Sequence, residues 1–210
     1  GVENPYLGIY SKADGIHLRV IARARDRQTA LGLIVPVEQA IHERLGEYIW
    51  GYDDDTPAQA AGTSLMNRGL SVAVLEMCTG GALANSITDI PDSLTYFKGG
   101  AVVYDAHGLK VSGVPAEVIK RYGVVSQETA NAMADCVRSN FGADLGVAVT
   151  GVPGPGEFEG KPLGLAYISV TNGRSVREME MRLPPRRVTI KRRVPNQALI
   201  ELRRLVEETG

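Results

Sequence analysis

Hydrophobic and polar positions change period several times along this chain, and those changes lay out its elements. From residue 16 to 25, Ile16, Leu18, Val20 and Ala22 alternate with His17, Arg19 and Arg23, the two-residue period of a half-buried strand. A helical period follows. Ala30, Ile34, Val37, Ile41 and Leu45 share one face, Gly46 stands as the stop, and Pro36 inside the run predicts a kink. Tyr48, Ile49 and Trp50 then read as a second short strand. Residues 1–52 thus form a small α+β module, with the acidic run Asp53, Asp54, Asp55 as the linker that ends it.

A different rhythm governs residues 53–210. Thr56-Pro57-Ala58-Gln59 is a capping box with proline at the first helical position, and Gly69 ends the helix it opens. Residues 71–75 are a short apolar strand, followed at once by Cys78-Thr79-Gly80-Gly81 and another helix. Residues 101–104 read as a strand, and Ser126 caps a helix whose face is Ala130, Ala134, Val137 and Phe141, ended by Gly142. Residues 145–150 are again a strand. The loop Gly151-Val152-Pro153-Gly154-Pro155-Gly156 cannot be regular structure. Two more strands, near 165–170 and 176–182, flank the turn Thr171-Asn172-Gly173, and a basic helix closes the chain. Pro195 costs about 3 kcal/mol inside a helix, so a break is expected there, with the last helix starting afresh near Asn196. Strands alternating with helices predict an α/β fold: the small module, then a layered αβα domain with a mixed sheet and helices on both faces.

Composition narrows the function classes. Hydrophobic residues make up 44% and charged residues 22%, the proportions of a globular protein with a real core. The net charge of −1 calls for neither nucleic acid nor an anionic membrane. No apolar run approaches the ~20 residues of a membrane span. Asn4, Pro5, Ser11 and Asp14 interrupt any signal-peptide core, so a cytoplasmic protein is expected. The chain opens on Gly1 rather than Met, which reads as a piece of something longer. Cys78 and Cys136 lie far apart, and His17, His42 and His107 are equally scattered, so neither a metal nor another cofactor is expected.

Candidate chemistry centres on residues 76–81. A strand, a tight turn and a helix beginning at Thr79-Gly80-Gly81 make a recognisable device: helix-start N–H groups can hold a phosphate or a developing oxyanion, and glycines let a ligand approach the backbone. The plainer reading is a Thr cap with glycines relieving crowding between helix and sheet. Both readings stand on local pattern.

The longer string is more specific. Val74-Leu75-Glu76-Met77-Cys78-Thr79-Gly80-Gly81 and Thr88-Asp89-Ile90-Pro91-Asp92-Ser93 come first, then Gly99-Gly100-Ala101-Val102-Val103-Tyr104 and Gly123-Val124-Val125-Ser126. Gly142-Ala143-Asp144, Val149-Thr150-Gly151, Gly154-Pro155 and Lys161-Pro162-Leu163-Gly164 follow in order. Together they resemble the C-terminal domain of the competence/damage-inducible CinA family, whose relatives include stand-alone nicotinamide-mononucleotide amidohydrolases. Arg44-Leu45-Gly46-Glu47-Tyr48-Ile49 is similar to the KH-like module preceding that domain in full CinA proteins. No Gly-x-x-Gly loop lies between Arg25 and Trp50 to clamp RNA, so a nucleic-acid partner is not expected.

The resemblance implies a nucleotide ligand, nicotinamide mononucleotide or similar, a homo-oligomer, and an N-terminal CinA domain missing from this sequence. In the family a serine follows the glutamate and attacks the carboxamide carbon, a downstream lysine takes its proton, and ammonia leaves. Here that serine is Met77, whose thioether has no proton to lose. The lysine's place is Leu109, with Lys110 one residue further on as the candidate. Cys78 is a possible replacement nucleophile, at a helix start where thiol pKa values fall, and Thr79 is a cap, a binding group or a weaker nucleophile. Met77, Gly80, Gly81, Tyr104, Thr150 and Gly151 are the expected lining of the pocket. His107 is a candidate base on residue type, set against the plainer reading of a solvated loop histidine. Arg186, Arg187, Lys191, Arg192 and Arg193 form a basic cluster; the resemblance offers Arg187 for a phosphate.

Overall fold

The computed structural model describes residues 4–208; the opening Gly1 lies outside them. The chain divides into two compact units, 1–54 and 55–210.

In the first unit, β1 (Tyr6–Ser11) pairs antiparallel with β2 (Ile16–Ile21), Tyr6 opposite Ile21 and Ser11 opposite Ile16. The pattern reading did not assign β1, because Gly8 and the tyrosines blur its alternation. β2 also stops at Ile21, short of the expected 25. Helix α1 (Arg27–Leu45) starts at Asp26, whose carboxylate accepts from the Thr29 amide at 2.8 Å, and it runs on through Pro36. The expected strand over Tyr48, Ile49 and Trp50 is absent. Gly46 is right-handed (φ −52°) instead of left-handed, so helical curvature carries on into a 3-10 turn, Gly46–Tyr48. Trp50 then stands edge-on to His17, with ring centroids 6.3 Å apart.

The second unit is the expected layered αβα domain, around a five-stranded mixed sheet of order β4-β3-β5-β6-β7. Strands β3 (Val72–Glu76), β4 (Phe97–Val102) and β5 (Leu145–Gly151) are parallel, while β6 (Leu165–Thr171) and β7 (Val176–Arg182) run antiparallel. Alternation along the buried strands feeds two apolar layers. Val72, Val74, Val147 and Val149 face α2 (Pro57–Arg68), α3 (Ala82–Thr88) and α7 (Arg187–Glu208). Ala73, Leu75 and Ala148 face α4 (Ala106–Val111), α5 (Ala116–Tyr122) and α6 (Gln127–Asn140). The Thr56/Gln59 capping box and a left-handed Gly69 bound α2 as the sequence predicts.

Two expectations are corrected. β4 begins at Phe97 and ends at Val102, leaving Tyr104 beyond the strand. At Gly100 a Cβ would lie 2.2 Å from the Val74 carbonyl oxygen, so glycine is what lets β4 pair with β3. Helix α7 also does not break at Pro195. Ile190, Val194, Ala198, Leu199, Leu202 and Leu205 form one buried stripe across the proline. The isoleucine, valine and leucines each contribute about 1.5–3 kcal/mol, so their burial outweighs the ~3 kcal/mol that the proline costs. No helix among the described residues is long and apolar enough to cross a membrane.

Candidate functional site

The parallel strands end together. Glu76 is level with Val102 on one side and Val149 on the other, so three connecting segments leave the sheet at one edge, where α/β domains hold ligands. The turn 77–81 leaves β3 there.

Glu76 organises this turn, a role the sequence reading did not assign. Its side chain is fully buried. One carboxylate oxygen accepts from the Thr79 hydroxyl at 2.5 Å and from the Gly81 and Leu83 amides at 3.1 Å each; the other accepts from the Ala84 amide at 2.8 Å. A buried carboxylate is tolerable only with such a complement of donors, and here the start of α3 supplies three of them. The helix-start N–H groups expected to serve a ligand are therefore partly spent on the protein's own acid. The plain Thr cap is corrected as well: α3 has no side-chain cap at its first position, and Thr79 serves Glu76. Gly80 (φ +66°) and Gly81 (φ +90°) are both left-handed, which lets the chain double back onto Glu76.

Met77 and Cys78 point to opposite sides of the sheet. Met77 joins the α4/α5/α6 layer, with Sδ 3.5 Å from Thr150 Oγ1. That hydroxyl donates to the Val124 carbonyl at 2.7 Å. Cys78 lies in the other layer, beside Val74 and Leu83. Burial pushes its thiol up to about 12, with the nearby Glu76 charge acting in the same direction. The lowered pKa expected of a helix-start thiol is thus reversed, because desolvation of the thiolate dominates. Thr79 is fully buried too.

Tyr104 is 68% exposed, and its hydroxyl accepts from Arg187 Nη2 at 3.0 Å. Arg187 Nη1 donates to the Gly154 carbonyl at 2.9 Å. One guanidinium therefore ties together the segment after β4, the loop after β5 and the start of α7. Gly151 is buried at the end of β5, where a Cβ would meet the Leu165 carbonyl oxygen at 2.7 Å. Leu109 is fully buried, while Lys110 is exposed in the last turn of α4, as is His107 earlier in that helix. Lys191 reaches the turn from above: its Nζ lies 3.3 Å from where a Gly80 Cβ would stand.

The loop after β5 is clamped by charged side chains that local pattern did not single out. Glu159 accepts from the Val124 and Val125 amides at 2.9 and 3.2 Å, and Lys161 Nζ donates to the Val125 and Tyr122 carbonyls. These bonds hold the segment whose Val124 carbonyl fixes Thr150. Among the described residues no group of three His, Cys, Asp or Glu side chains could hold a metal ion.

Comparison with known proteins agrees with this architecture. Residues 54–206 match the family model of the CinA C-terminal domain, and residues 1–51 match that of the damage-inducible protein CinA KH domain. A competence-damage inducible protein of Desulforudis audaxviator is 40% identical over 199 residues, 93% of this chain and 48% of that protein. Its counterpart in Moorella thermoacetica is 45% identical over 170 residues, 80% of this chain and 41% of that protein. The chain therefore spans about half the length of these relatives or less. Among solved structures, the competence/damage inducible protein CihA of Agrobacterium tumefaciens aligns with a TM-score of 0.66 at 33% identity, over 70% of this chain and 91% of its own. A CinA superfamily protein of Enterobacter cloacae reaches 0.69 at 23% identity, over 75% and 96%, a likeness of fold.

Proposed function

The chain belongs to the CinA family, and from that membership we propose that its second unit is a nicotinamide-mononucleotide site of the amidohydrolase type whose hydrolysis is silenced at Met77. A serine at this position would attack the ligand's carboxamide carbon and release ammonia; a thioether cannot be deprotonated and forms no acyl intermediate. The observation that carries the reading is the pairing of Met77 with Thr150 at the edge where the parallel strands end. The other candidate nucleophiles are ill placed to compensate. Cys78 is buried in the opposite layer with its thiol pushed up to about 12, and the Thr79 hydroxyl is buried against Glu76. Loss of the nucleophile removes a transition-state interaction and leaves ligand binding intact in principle. Tyr104, Arg187, Gly80 and Gly81 are the residues assigned to that binding, with the buried Thr150 and Gly151 backing them at the end of β5.

The test is ammonia release from nicotinamide mononucleotide by the wild-type protein beside Met77→Ser. Turnover by the variant alone is the expected result. Turnover by the wild type would instead mean that Cys78, Thr79 or a water activated by Lys110 attacks, and alkylation of the thiols would separate the first of these from the others. Inactivity of both proteins would point to a divergent pocket.

A second reading, an assembly or regulatory role within a longer protein, is favoured by the first unit. Ile9 and Ile16 are each 69% exposed there, and α1 buries none of its described residues. Cross-linking with and without residues 1–52 tests it; a chain that stays monomeric refutes it.

A further inference from the structure

The loop between β5 and β6 leaves the sheet at the edge where the candidate site lies, and side chains hold it on both faces. On the α7 side its Gly154 carbonyl accepts from Arg187 Nη1 at 2.9 Å. On the other side it grips the segment ahead of α6. Both oxygens of Glu159 accept from the Val124 amide, at 2.9 and 3.1 Å, and one of them also takes the Val125 amide at 3.2 Å. Lys161 Nζ donates to the Tyr122 carbonyl at 3.3 Å and to the Val125 carbonyl. The tip of the loop is a tight turn. Phe158 and Lys161 exchange backbone bonds of 3.1 and 2.9 Å, and Glu159 (φ +53°) and Gly160 (φ +68°) are both left-handed. Asparagine, aspartate or glycine usually fills the first of those positions, because other residues resist a positive φ. Glutamate is held there by what its carboxylate reaches. Gly123 belongs to the same fit, since a Cβ on it would stand 2.3 Å from a Glu159 oxygen. Exposure sets this carboxylate apart from Glu76. Glu76 is fully buried, whereas Glu159 is exposed, so water can take its place on the amides. The segment it covers is not exposed: Val124 and Val125 are buried in the same apolar layer as Met77, and Val152 and Leu163 at the roots of the loop pack into that layer too. The Val124 carbonyl in turn accepts from the Thr150 hydroxyl, 3.5 Å from Met77 Sδ. An exposed clamp on a buried segment can be released locally, with the rest of the sheet still folded.

We propose that residues 154–161 are a latched strap that governs access to the site, with Glu159 as its latch and as a positioning residue for Thr150. With the latch closed, the segment 122–125 and the Thr150 hydroxyl are fixed and the layer around Met77 is shut. Release of Glu159 lets the strap swing away from the α6 side while Arg187 still holds Gly154, and it opens the layer at Met77 with the sheet intact. The strap does not depend on which ligand the site takes; only what it admits rests on the nucleotide reading.

Hydrogen exchange and thiol labelling of the whole chain test the strap without a ligand. Glu159→Ala removes a charge-assisted contact and should speed exchange of the Val124 and Val125 amides about tenfold or more. Glu159→Gln keeps an acceptor oxygen and should fall between that variant and the wild type. The Val147 and Val149 amides of β5 should keep their wild-type rates, which a general loss of stability would not allow. For access, Met77→Cys is combined with Cys136→Ser and treated with a thiol reagent. Adding Glu159→Ala should raise the labelling rate about tenfold or more as well, while Cys78 in the opposite layer stays unlabelled. Unchanged exchange at Val124 and Val125, equal acceleration in β5, or faster exchange without faster labelling would overturn the proposal. Titration of the wild type with nicotinamide mononucleotide keeps the two readings apart. Release by Glu159→Ala in a protein that binds none of it would keep the strap and sink the nucleotide reading; tight binding without that release would do the opposite.

Discussion

The two units of this chain are stabilised in different ways. The second buries two apolar layers, one on each face of its sheet, and closes the site edge with a fully buried carboxylate. In the first, Gly8 is the single buried residue among those described, and Ile9, Ile16 and Tyr48 stay at least 60% exposed. A two-stranded ribbon with one helix cannot enclose a core, since each element has one neighbour at most to cover its apolar side. A site that must hold polar groups within a few tenths of an ångström needs the rigid unit.

That contrast can be broken most forcefully at Glu76. Glu76→Ala removes the acceptor of the Thr79 hydroxyl and of three amides, leaving the buried Thr79 and Leu83 donors without a partner, and we expect a loss of about 4 kcal/mol in urea unfolding of the second unit. A loss below about 1 kcal/mol would show that the turn re-satisfies itself and that the carboxylate is no keystone. Next comes a matched pair of truncations. Leu202→Ala, in the α7 layer, should cost about 3 kcal/mol, whereas Ile9→Ala should stay within about 0.5 kcal/mol. Equal costs would mean that the first unit has a core of its own after all.

The smallest effect concerns Asp144, which ties the start of β5 to β3. Its carboxylate accepts from Ser71 Oγ at 2.6 Å and from the Ser71 amide at 2.8 Å. The Ser71 hydroxyl, chiefly, holds the Asp144 carboxyl below its ordinary value. A depressed folded value stabilises at pH above the unfolded carboxylate value, about 3.9, and that stabilisation is lost as pH falls through the folded value. The stability advantage of wild type over Asp144→Asn, followed by melting temperature, should therefore be present at neutral pH and shrink below about pH 3.9. A difference that is flat from neutral pH to pH 2 would refute the assignment.

Much of the second unit was legible from pattern. The capping box at Thr56, the stop at Gly69, the Ser126 cap and the strand pair around Thr171-Asn172-Gly173 depend on neighbours a few residues away, and they stand where the sequence puts them. Errors fell where distant residues decide. Gly46 follows the last residue of α1, where the pattern puts the stop, but the strand expected at Tyr48 is a 3-10 turn. Pro195 sits inside α7 because a stripe running from Ile190 to Leu205 packs against the sheet. At the site, the position of the turn 76–81 was readable, but the allocation of its hydrogen bonds was not. Nothing in Glu76-Met77-Cys78-Thr79 says that the acid will fold back on the next helix, or that burial will raise a thiol that a helix start would lower.

By itself, then, the amino-acid order determined many of the element types in the second unit, the α/β class and the family resemblance. Each of these follows from periodicity, capping and motifs that act within a few residues or recur in a set order. Tertiary structure alone decided which side of the sheet Met77 and Cys78 face, that Leu109 is sealed while Lys110 is solvated, and that Arg187 ties Tyr104 to the Gly154 carbonyl. Those outcomes depend on where β3, α4 and α7 meet in space, and a one-residue change of register or about 100° around a helix is enough to reverse each of them.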